Sequence, residues 1–326
     1  MEEMKIKTRV VGVDVSLDAT TYAIVDIRGN IIARDHFCTR DYPNINEYVS
    51  QLCDRIIELV DNNGGYETIH AVGISAPSSN VLTGCIENSP NMPWKGVIPL
   101  AAMLRDRIGL AVALANNSQC IALGEQAFGS AHGMTNFVVI TLGHGMGSAL
   151  FTNGRLHYGA LGFAGEIGHT CIVPEGRECG CGHQGCLETY CAEKGILRTA
   201  RELMESSNEP SLMRGVEELT PKLISEMCNQ GDAMAIEVFR RTGEMLGRGL
   251  AKYATLINPQ AFILTGGIPR SGKWLMVPAQ EAFEQHVFGN IKGRTKLLVS
   301  ILDDRERDVL GASVLAWTVE EYSLFK

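Results

Sequence analysis

The sequence predicts an α/β protein with two domains, and three observations support that fold class. The chain has 326 residues, which is enough for two domains that each bury a core. Short apolar runs alternate along the chain with longer segments whose apolar residues recur at helical spacing. A pattern of strand, glycine turn and strand near the N-terminus returns near residue 137, which indicates a weak internal repeat of one α/β unit.

The first domain is expected to open with three strands. The apolar run that begins at Val10 ends at Asp14, and tight turns divide the rest of 9–38. Apolar residues at helical spacing predict a helix over 45–60, and asparagines and glycines at 62–65 end it. Two further buried strands are predicted at 71–75 and 112–115, followed by a helix at 118–128.

The second domain repeats the theme and adds longer helices. Domains are expected at 1–116 and 117–308, and a terminal helix within 309–326 can return to the first domain. No linker, charge block or low-complexity segment interrupts the chain. The predicted elements are strands at 137–142 and 148–151, a helix at 233–256, strands at 261–264 and 297–302, and a closing helix at 309–321.

Composition places the chain among soluble globular proteins. Hydrophobic residues make up 45% and charged residues 20% of it. The formal net charge of −8 argues against direct binding of nucleic acid, because a phosphate backbone requires a basic surface. The N-terminal residues are charged and form no apolar run, so neither a secretion signal nor a membrane span is expected. We therefore expect a cytoplasmic protein.

Three cysteines stand apart from the rest. Ten cysteines are present, and disulfides are a poor expectation in a reducing compartment. Most are scattered, as is typical of small buried apolar side chains. Cys179, Cys181 and Cys186 lie close together with glycines between them. Zinc takes four ligands in a tetrahedron, and glycines let a short loop close round a metal, so this spacing predicts a structural zinc site.

The zinc site needs a fourth ligand, and His169 and His183 are the candidates. His183 is enclosed by the loop, whereas His169 precedes it and can close the tetrahedron from outside. We expect His169, and we name residues 169–188 the cysteine loop. Three free thiols in a flexible loop are the alternative. A catalytic zinc would need an open position, which four protein ligands do not leave.

A family resemblance begins at these residues. The motif is Gly165-Glu166-Ile167-Gly168-His169, followed by Cys179-x-Cys181-Gly182-x-x-Gly185-Cys186-Leu187-Glu188. It strongly resembles the ROK family, which contains bacterial ATP-dependent sugar kinases such as glucokinase and sugar-responsive transcriptional repressors. The resemblance covers nearly the whole chain. It implies an actin-like, hexokinase-like (ribonuclease H-like) fold, with a cleft between two α/β domains that close on sugar and nucleotide, as a homodimer or homotetramer.

The resemblance also implies a set of sugar ligands. Their side chains are carboxylates, carboxamides and an imidazole, which read the paired donor and acceptor character of sugar hydroxyls. A zinc-bound imidazole is fixed in one tautomer, so its other nitrogen becomes a rigid donor. The implied sugar ligands are Glu166, His169 and Glu188, together with Asn91, Asn116 and Asn117.

The first phosphate turn departs from that of the family's kinases. Asp14 is retained and can orient magnesium through water. The following glycine pair and threonine are replaced by Ser16, Leu17 and Asp18. Glycines allow backbone amides to approach phosphate oxygens, and Leu17 obstructs that approach. The charge of Asp18 would repel a phosphate about 4 Å away by roughly 4 kcal/mol at an effective dielectric near 20.

The second departure concerns the catalytic base. The family's kinases carry an aspartate at the position of Asn117, and that aspartate accepts the proton of the sugar hydroxyl. A carboxamide cannot take a proton at neutral pH. A positioned base is worth about 10²–10⁴-fold in rate, and because phosphoryl transfer has a loose transition state, some activity can survive its loss.

Other nucleotide elements are partly retained. A glycine turn, residues 143–147, resembles the family's second phosphate loop, with His144 where a threonine is usual. Thr265-Gly266-Gly267 resembles the turn on the adenosine side. Each turn alone is equally typical of a plain strand connection. The predicted nucleotide-binding residues are Asp14, Gly143, His144, Gly145, Gly147, Gly266 and Gly267.

Three functions follow as hypotheses. The first is a sugar-binding sensor or regulator, or a very slow kinase, with structural zinc. The second is an active ATP-dependent hexose kinase that uses magnesium and tolerates Asn117. The third is a repressor, but the family's repressors carry a helix-turn-helix domain ahead of the sugar domain, and the first strand here is expected at about Arg9. We therefore expect no direct contact with DNA.

Overall fold

The computed structural model describes residues 7–90 and 92–319. This part of the chain divides into two compact units. The second unit comprises residues 133–157 and 165–300, and the first comprises the remainder. The expected boundary near residue 116 differs from this division, because the helix that follows residue 116 packs on the closing helix of the chain and belongs with the first unit.

The first unit contains eight strands and three helices before residue 132 among the residues described. They are β1 (Arg9–Val15), β2 (Ala19–Asp26), β3 (Ile31–Cys38), α1 (Ile45–Asp61), β4 (Ile69–Ser75), β5 (Ser79–Asn80), β6 (Cys85–Glu87), β7 (Val97–Ile98), α2 (Leu100–Ile108), β8 (Ala111–Ala115) and α3 (Asn117–Phe128).

The second unit alternates strands with longer helices, and a last helix then returns to the first unit. The elements are β9 (Phe137–Leu142), β10 (Met146–Thr152), β11 (Arg155–His157), α4 (Glu188–Cys191), α5 (Glu193–Ser206), α6 (Pro221–Asn229), α7 (Ala233–Ile257), β12 (Ala261–Thr265), α8 (Lys273–His286), β13 (Lys296–Val299) and the closing helix α9 (Arg307–Trp317).

The main sheets of the two units have the same order. The first is β3-β2-β1-β4-β8 and the second is β11-β10-β9-β12-β13. In each, the first three strands of the unit form an antiparallel meander and the remaining two run parallel to its first strand. The internal repeat predicted from the sequence is therefore present, and the turns that follow β1 and β9 occupy equivalent places.

The sheet of the first unit is covered on both faces. One face packs against α1, which buries Tyr48, Leu52 and Ile56. The other face carries α9, which approaches so closely that a Cβ at Gly73 would overlap the carbonyl oxygen of Ala312. Apolar area that is buried in this way stabilises the folded state by roughly 25 cal/mol per Å². Helix α9 is therefore a structural layer of the first unit.

The core of the second unit is built on a pair of helices. Helix α7 begins at its cap Asp232, whose carboxylate accepts the backbone N–H groups of Met234 and Ala235. It packs lengthwise on α8 and buries Phe239 and Leu246 with the sheet. Within the described ranges, no helix is both long enough and apolar enough to cross a membrane.

Several boundaries differ from the sequence-based expectations. The strand expected at 297–302 is Lys296–Val299, and the closing helix expected at 309–321 begins earlier and ends at Trp317, where Thr318 is its C-cap. Residues 320 and 321 lie outside the described residues. Strands of two or three residues, such as β5 and β7, show no periodicity that a sequence pattern can reveal.

Candidate functional site

The carboxyl ends of the three parallel strands of the first unit place three polar side chains together. Asp14 lies in β1, Ser75 ends β4, and Asn117 opens α3 directly after β8. The Asn117 amide nitrogen donates to Asp14 Oδ1 at 3.3 Å and to Ser75 Oγ at 3.0 Å. We name these three residues the strand-end cluster. Both hydrogen atoms of the Asn117 amide are therefore engaged within the cluster.

The carboxyl group of Asp14 is poorly solvated. Burial raises its pKa to about 8, and the nearby carboxylate of Asp308 acts in the same direction. The hydrogen bond from Ser75, the charge of Arg307 and the amide of Asn117 lower the pKa by smaller amounts. At neutral pH, Asp14 therefore retains its proton for much of the time.

Asn116, another predicted sugar ligand in the first unit, has a local structural role. The side-chain oxygen of Asn116 caps α3 by accepting the Ser118 N–H at 3.0 Å, so only its amide nitrogen remains for a ligand. Asn91 lies outside the described residues. Trp94, three residues later, is 4% exposed and donates to the carbonyl of Tyr42 at 3.1 Å, so it belongs to the core.

The turn after β1 is closed by its own side chains. Ser16 donates from both its backbone nitrogen, at 3.0 Å, and its hydroxyl, at 2.9 Å, to the carbonyl of Ala19. The Asp18 carboxylate pairs with Arg40 at 2.6 Å, on the surface. The Ser16 N–H, which a phosphate oxygen would need as a donor, is thus already hydrogen-bonded within the turn. This adds to the obstruction predicted for Leu17.

The second unit brings four potential metal ligands together. One ligand atom each from His169, Cys179, Cys181 and Cys186 lies within 4.8 Å of the others. The Sγ atoms of Cys181 and Cys186 are 3.7 Å apart, and His169 Nδ1 is 3.6 Å from Cys179 Sγ. A tetrahedral zinc with Zn–S bonds of about 2.3 Å has edges of about 3.8 Å, so the donor set fits a metal ion.

His183 is not part of this group of four. Its Nδ1 lies 3.6 Å from Cys181 Sγ and its backbone carbonyl accepts the Cys179 N–H at 2.8 Å. The His183 backbone and ring lower the pKa of Cys181 to about 6 through hydrogen bonds, while burial and the two neighbouring thiols raise the pKa of Cys186 to about 12. Metal binding here must therefore displace thiol protons.

Arg177 ties the cysteine loop to the helices behind it. Its guanidinium is 9% exposed and donates to the carbonyls of Thr189 and Gly195 at 2.9 and 3.0 Å. It also pairs with Glu202 at 2.7 Å and lies over the ring of Tyr190. A buried guanidinium requires acceptors for its N–H groups, and these contacts supply them. Arg177 therefore anchors the loop through protein atoms alone.

Two carboxylates flank the ligand group. Burial raises the pKa of Glu166, and so does the carboxylate of Glu188, whereas His169 lowers it. Glu188 Oε2 accepts the backbone N–H of Met146 at 2.9 Å, and its other oxygen lies 4.0 Å from Cys179 Sγ. Glu188 thus connects the cysteine loop with the glycine turn, and Glu166, His169 and Glu188 form one electrostatic group in the second unit.

The glycine turn borders a cavity of about 540 Å³ in the second unit. The turn closes through a hydrogen bond from Gly143 N to the Gly145 carbonyl at 3.0 Å. Gly267 also lines this cavity, so the two predicted nucleotide turns border the same cavity. Its other walls come from α6 and from the segment after β12, which include Pro221, Lys222, Ile268 and Arg270.

Comparison with known proteins identifies the class and then the family. Two repeated sheets of this order place the chain among hexokinase-like α/β proteins. The chain belongs to the ROK family, whose profile matches residues 10–319.

Relatives include both enzymes and regulators. Glucokinase of Streptomyces coelicolor is 31% identical over 286 residues, covering 86% of this chain and 88% of the relative. A xylose repressor of Caldicellulosiruptor bescii is 26% identical over 304 residues, covering 91% of this chain and 75% of the repressor. A ROK family glucokinase from Streptomyces griseus, solved in complex with glucose and AMPPNP, has a TM-score of 0.78 and 30% identity, with coverage of 95% and 100%.

Sequence reasoning missed several residues that shape these groups. Ser75 ends a predicted strand parallel to β1, so its position beside Asp14 could have been deduced from the topology. Asp308 and Glu193 reach the groups from elements far along the chain, and no local pattern signals either. Arg177 has no sequence signal, because its role depends on the carbonyls that surround it.

Proposed function

We propose that this chain is a sugar-binding ROK protein that acts as a sensor or regulator, or at most as a very slow sugar kinase. The single observation that carries the proposal is the state of Asn117. Its amide donates to Asp14 and Ser75, so the base position holds a saturated donor instead of a proton acceptor. The sugar-facing groups of the second unit, by contrast, keep their carboxylates and imidazole.

Zinc is the proposed metal of the cysteine loop. Three thiolates and one imidazole are soft ligands suited to zinc, and four protein ligands define a structural site with no open position. With Nδ1 of His169 facing the metal, its Nε2–H remains available to donate to a sugar hydroxyl. Zinc would supply no chemistry of its own and would hold the imidazole in place.

Sugar recognition is assigned to Glu166, His169 and Glu188. Carboxylate oxygens accept from sugar hydroxyls, and an imidazole N–H donates to one. A hexose or an N-acetylhexosamine offers the vicinal hydroxyls that such a group recognises.

The proposal is tested by thermal shift and by turnover on the same zinc-loaded protein. A panel of hexoses and N-acetylhexosamines is expected to include at least one sugar that raises the melting temperature, because a ligand stabilises only the state that it binds. A coupled assay with that sugar, ATP and magnesium is expected to give turnover far below about 1 s⁻¹, the low end of ordinary enzymes. The absence of stabilisation by every sugar would refute the proposal.

The alternative is an active ATP-dependent hexose kinase. Two glucokinase relatives support it, because each is 31% identical to this chain over most of its length. Turnover above about 1 s⁻¹ with any hexose would establish this alternative and would mean that another group accepts the hydroxyl proton.

A further inference from the structure

Cys171 faces a potential metal ligand of the cysteine loop across a short strand pair. Cys171 and Cys186 form an isolated antiparallel β-bridge. Backbone hydrogen bonds join their neighbours on both sides, from Ile172 N to the Gly185 carbonyl at 2.8 Å and from Leu187 N to the Thr170 carbonyl at 3.0 Å. This pattern defines a non-hydrogen-bonded pair, in which the side chains of an antiparallel ladder lie closest together.

The spacing of such a pair suits a disulfide. Its Cα atoms lie about 4.5 Å apart, and a disulfide joins residues whose Cα atoms are about 4.4 to 6.8 Å apart. Gly185 lets the two segments come this close, because a Cβ at this residue would overlap the carbonyl oxygen of Val173. The same Cβ would lie 3.1 Å from Cys171 Sγ, so this thiol already rests on the residue beside Cys186. A disulfide here therefore needs rotation of side chains and no movement of the backbone.

The two thiols differ in access and in role. Cys171 is exposed, whereas Cys186 is fully buried. Cys186 belongs to the group of four potential metal ligands, and Cys171 does not. With zinc bound, Cys186 would be held as a thiolate and Cys171 would remain a free thiol. An oxidant from solvent therefore reaches Cys171 first, and the sulfenic acid that forms there condenses with a neighbouring thiol.

We propose that Cys171 is an oxidative modification site, which forms a reversible disulfide with Cys186 when the protein meets a peroxide. The Cys171 sulfur takes one oxygen as the O–O bond breaks, and water leaves. The Cys186 sulfur then attacks the sulfenic sulfur, the S–O bond breaks, and the oxygen leaves as a second water. Two electrons pass from the two thiols to the peroxide. If Cys186 begins as a metal thiolate, solvent supplies one of the protons.

The disulfide has a consequence for the metal site and for the sugar group. It withdraws one of four ligands, and a structural zinc site is closed by all four. Release of the metal would free the His169 imidazole, so sugar binding should fall with it. This consequence rests on the proposed zinc and sugar sites, whereas the disulfide itself rests on the strand pair. A transient disulfide in a reducing compartment is typical of redox sensing.

The test treats the full-length, zinc-loaded chain with hydrogen peroxide. Peptide mapping without reductant is expected to find the disulfide between Cys171 and Cys186, and a chromogenic chelator is expected to detect released zinc. Dithiothreitol followed by zinc should restore the starting protein. Cys171→Ser is expected to form no such disulfide and to keep its zinc through the treatment that empties the wild type. Cys38→Ser, which removes an exposed thiol of the first unit, should behave like the wild type.

Two results would overturn the inference. One is a peptide map in which Cys171 stays unpaired while the thiols of Cys179, Cys181 and Cys186 join one another. The other is equal zinc release from the wild type and Cys171→Ser. Zinc content and sugar titration of the untreated wild type check the proposed function separately. Absence of both there would refute the proposed function, while the peptide map of the oxidised wild type would still decide whether the disulfide forms.

Discussion

The two units share one sheet order but differ in what their strand ends and turns present. In the first unit, the polar groups satisfy one another: Asn117 donates to Asp14 and Ser75, and the turn after β1 uses its own amide. In the second unit, one ligand atom each from three thiols and an imidazole lies within 4.8 Å of the others, which is a donor set that fits a metal ion. One scaffold repeated within a chain can therefore present different side-chain chemistry in its two copies.

The physical difference is where the protons reside. Burial keeps a proton on Asp14 in the first unit, and no metal-like donor set surrounds it among the residues described. In the cysteine loop, hydrogen bonds favour the thiolate of Cys181, so a metal ion can replace the protons that the other thiols hold. In the first unit the polar side chains of the strand-end cluster bond to one another, whereas the cysteine loop brings together four potential ligands for a metal ion.

The largest expected effect is loss of the metal site. Cys181→Ser and His169→Ala each remove one of four ligands, so zinc measured by atomic absorption should fall to near zero. Sugar binding should be lost with it, because His169 and Glu188 depend on the loop for their positions. Cys38→Ser is the control, since Cys38 is an exposed thiol in the first unit. A variant without zinc that binds sugar normally would separate the loop from the sugar group.

Substitution of Arg177, which anchors the cysteine loop, should have the next largest effect. Arg177→Met leaves buried carbonyls of Thr189 and Gly195 without their donor, which should lower the free energy of unfolding by about 3 kcal/mol. Arg198→Met is the matched control, because Arg198 also pairs with Glu202 but is about half exposed and should change stability by less than about 0.5 kcal/mol. Urea denaturation distinguishes the two variants. Equal effects would show that Arg177 contributes no more to stability than an ordinary surface ion pair does.

Restoration of a carboxylate in the first unit should weaken the contrast between the units. Asn117→Asp supplies a proton acceptor and should raise kcat by about 10²-fold with the sugar found by thermal shift. The new carboxylate would lie about as close to Asp14 as the present 3.3 Å, so the two would share a proton and the gain should increase with rising pH. Asn117→Ala, which removes the amide without adding a base, should give no gain. An equal gain in both variants would contradict the assignment.

Much of this arrangement could be predicted from residue patterns, and the remainder depends on contacts distant in sequence. The strands at 9–38, the helix at 45–60 and the cysteine spacing are local signals with a clear period or a specific motif. The wall formed by α6 and the ion pair between His144 and Glu193 are not local, because they join segments about fifty or more residues apart in a folded chain. The Asp308 carboxylate that helps to raise the pKa of Asp14 lies in α9, at the far end of the sequence, and no pattern near Asp14 indicates it.

The pH dependence of stability tests the proton on Asp14 directly. The folded protein holds this proton up to about pH 8, whereas the unfolded chain releases it near pH 4. The contribution is therefore fully present below pH 4 and is lost as the pH rises through 8, so stability falls across that window. Asp14→Asn should reduce the fall in unfolding free energy between pH 5 and pH 8.5 by up to about 4 kcal/mol, because each pH unit in that window is worth about 1.4 kcal/mol. Asp18→Asn, exposed on the same hairpin, should leave the slope unchanged, and an unaltered slope in Asp14→Asn would show that Asp14 is ionised and open to a cation.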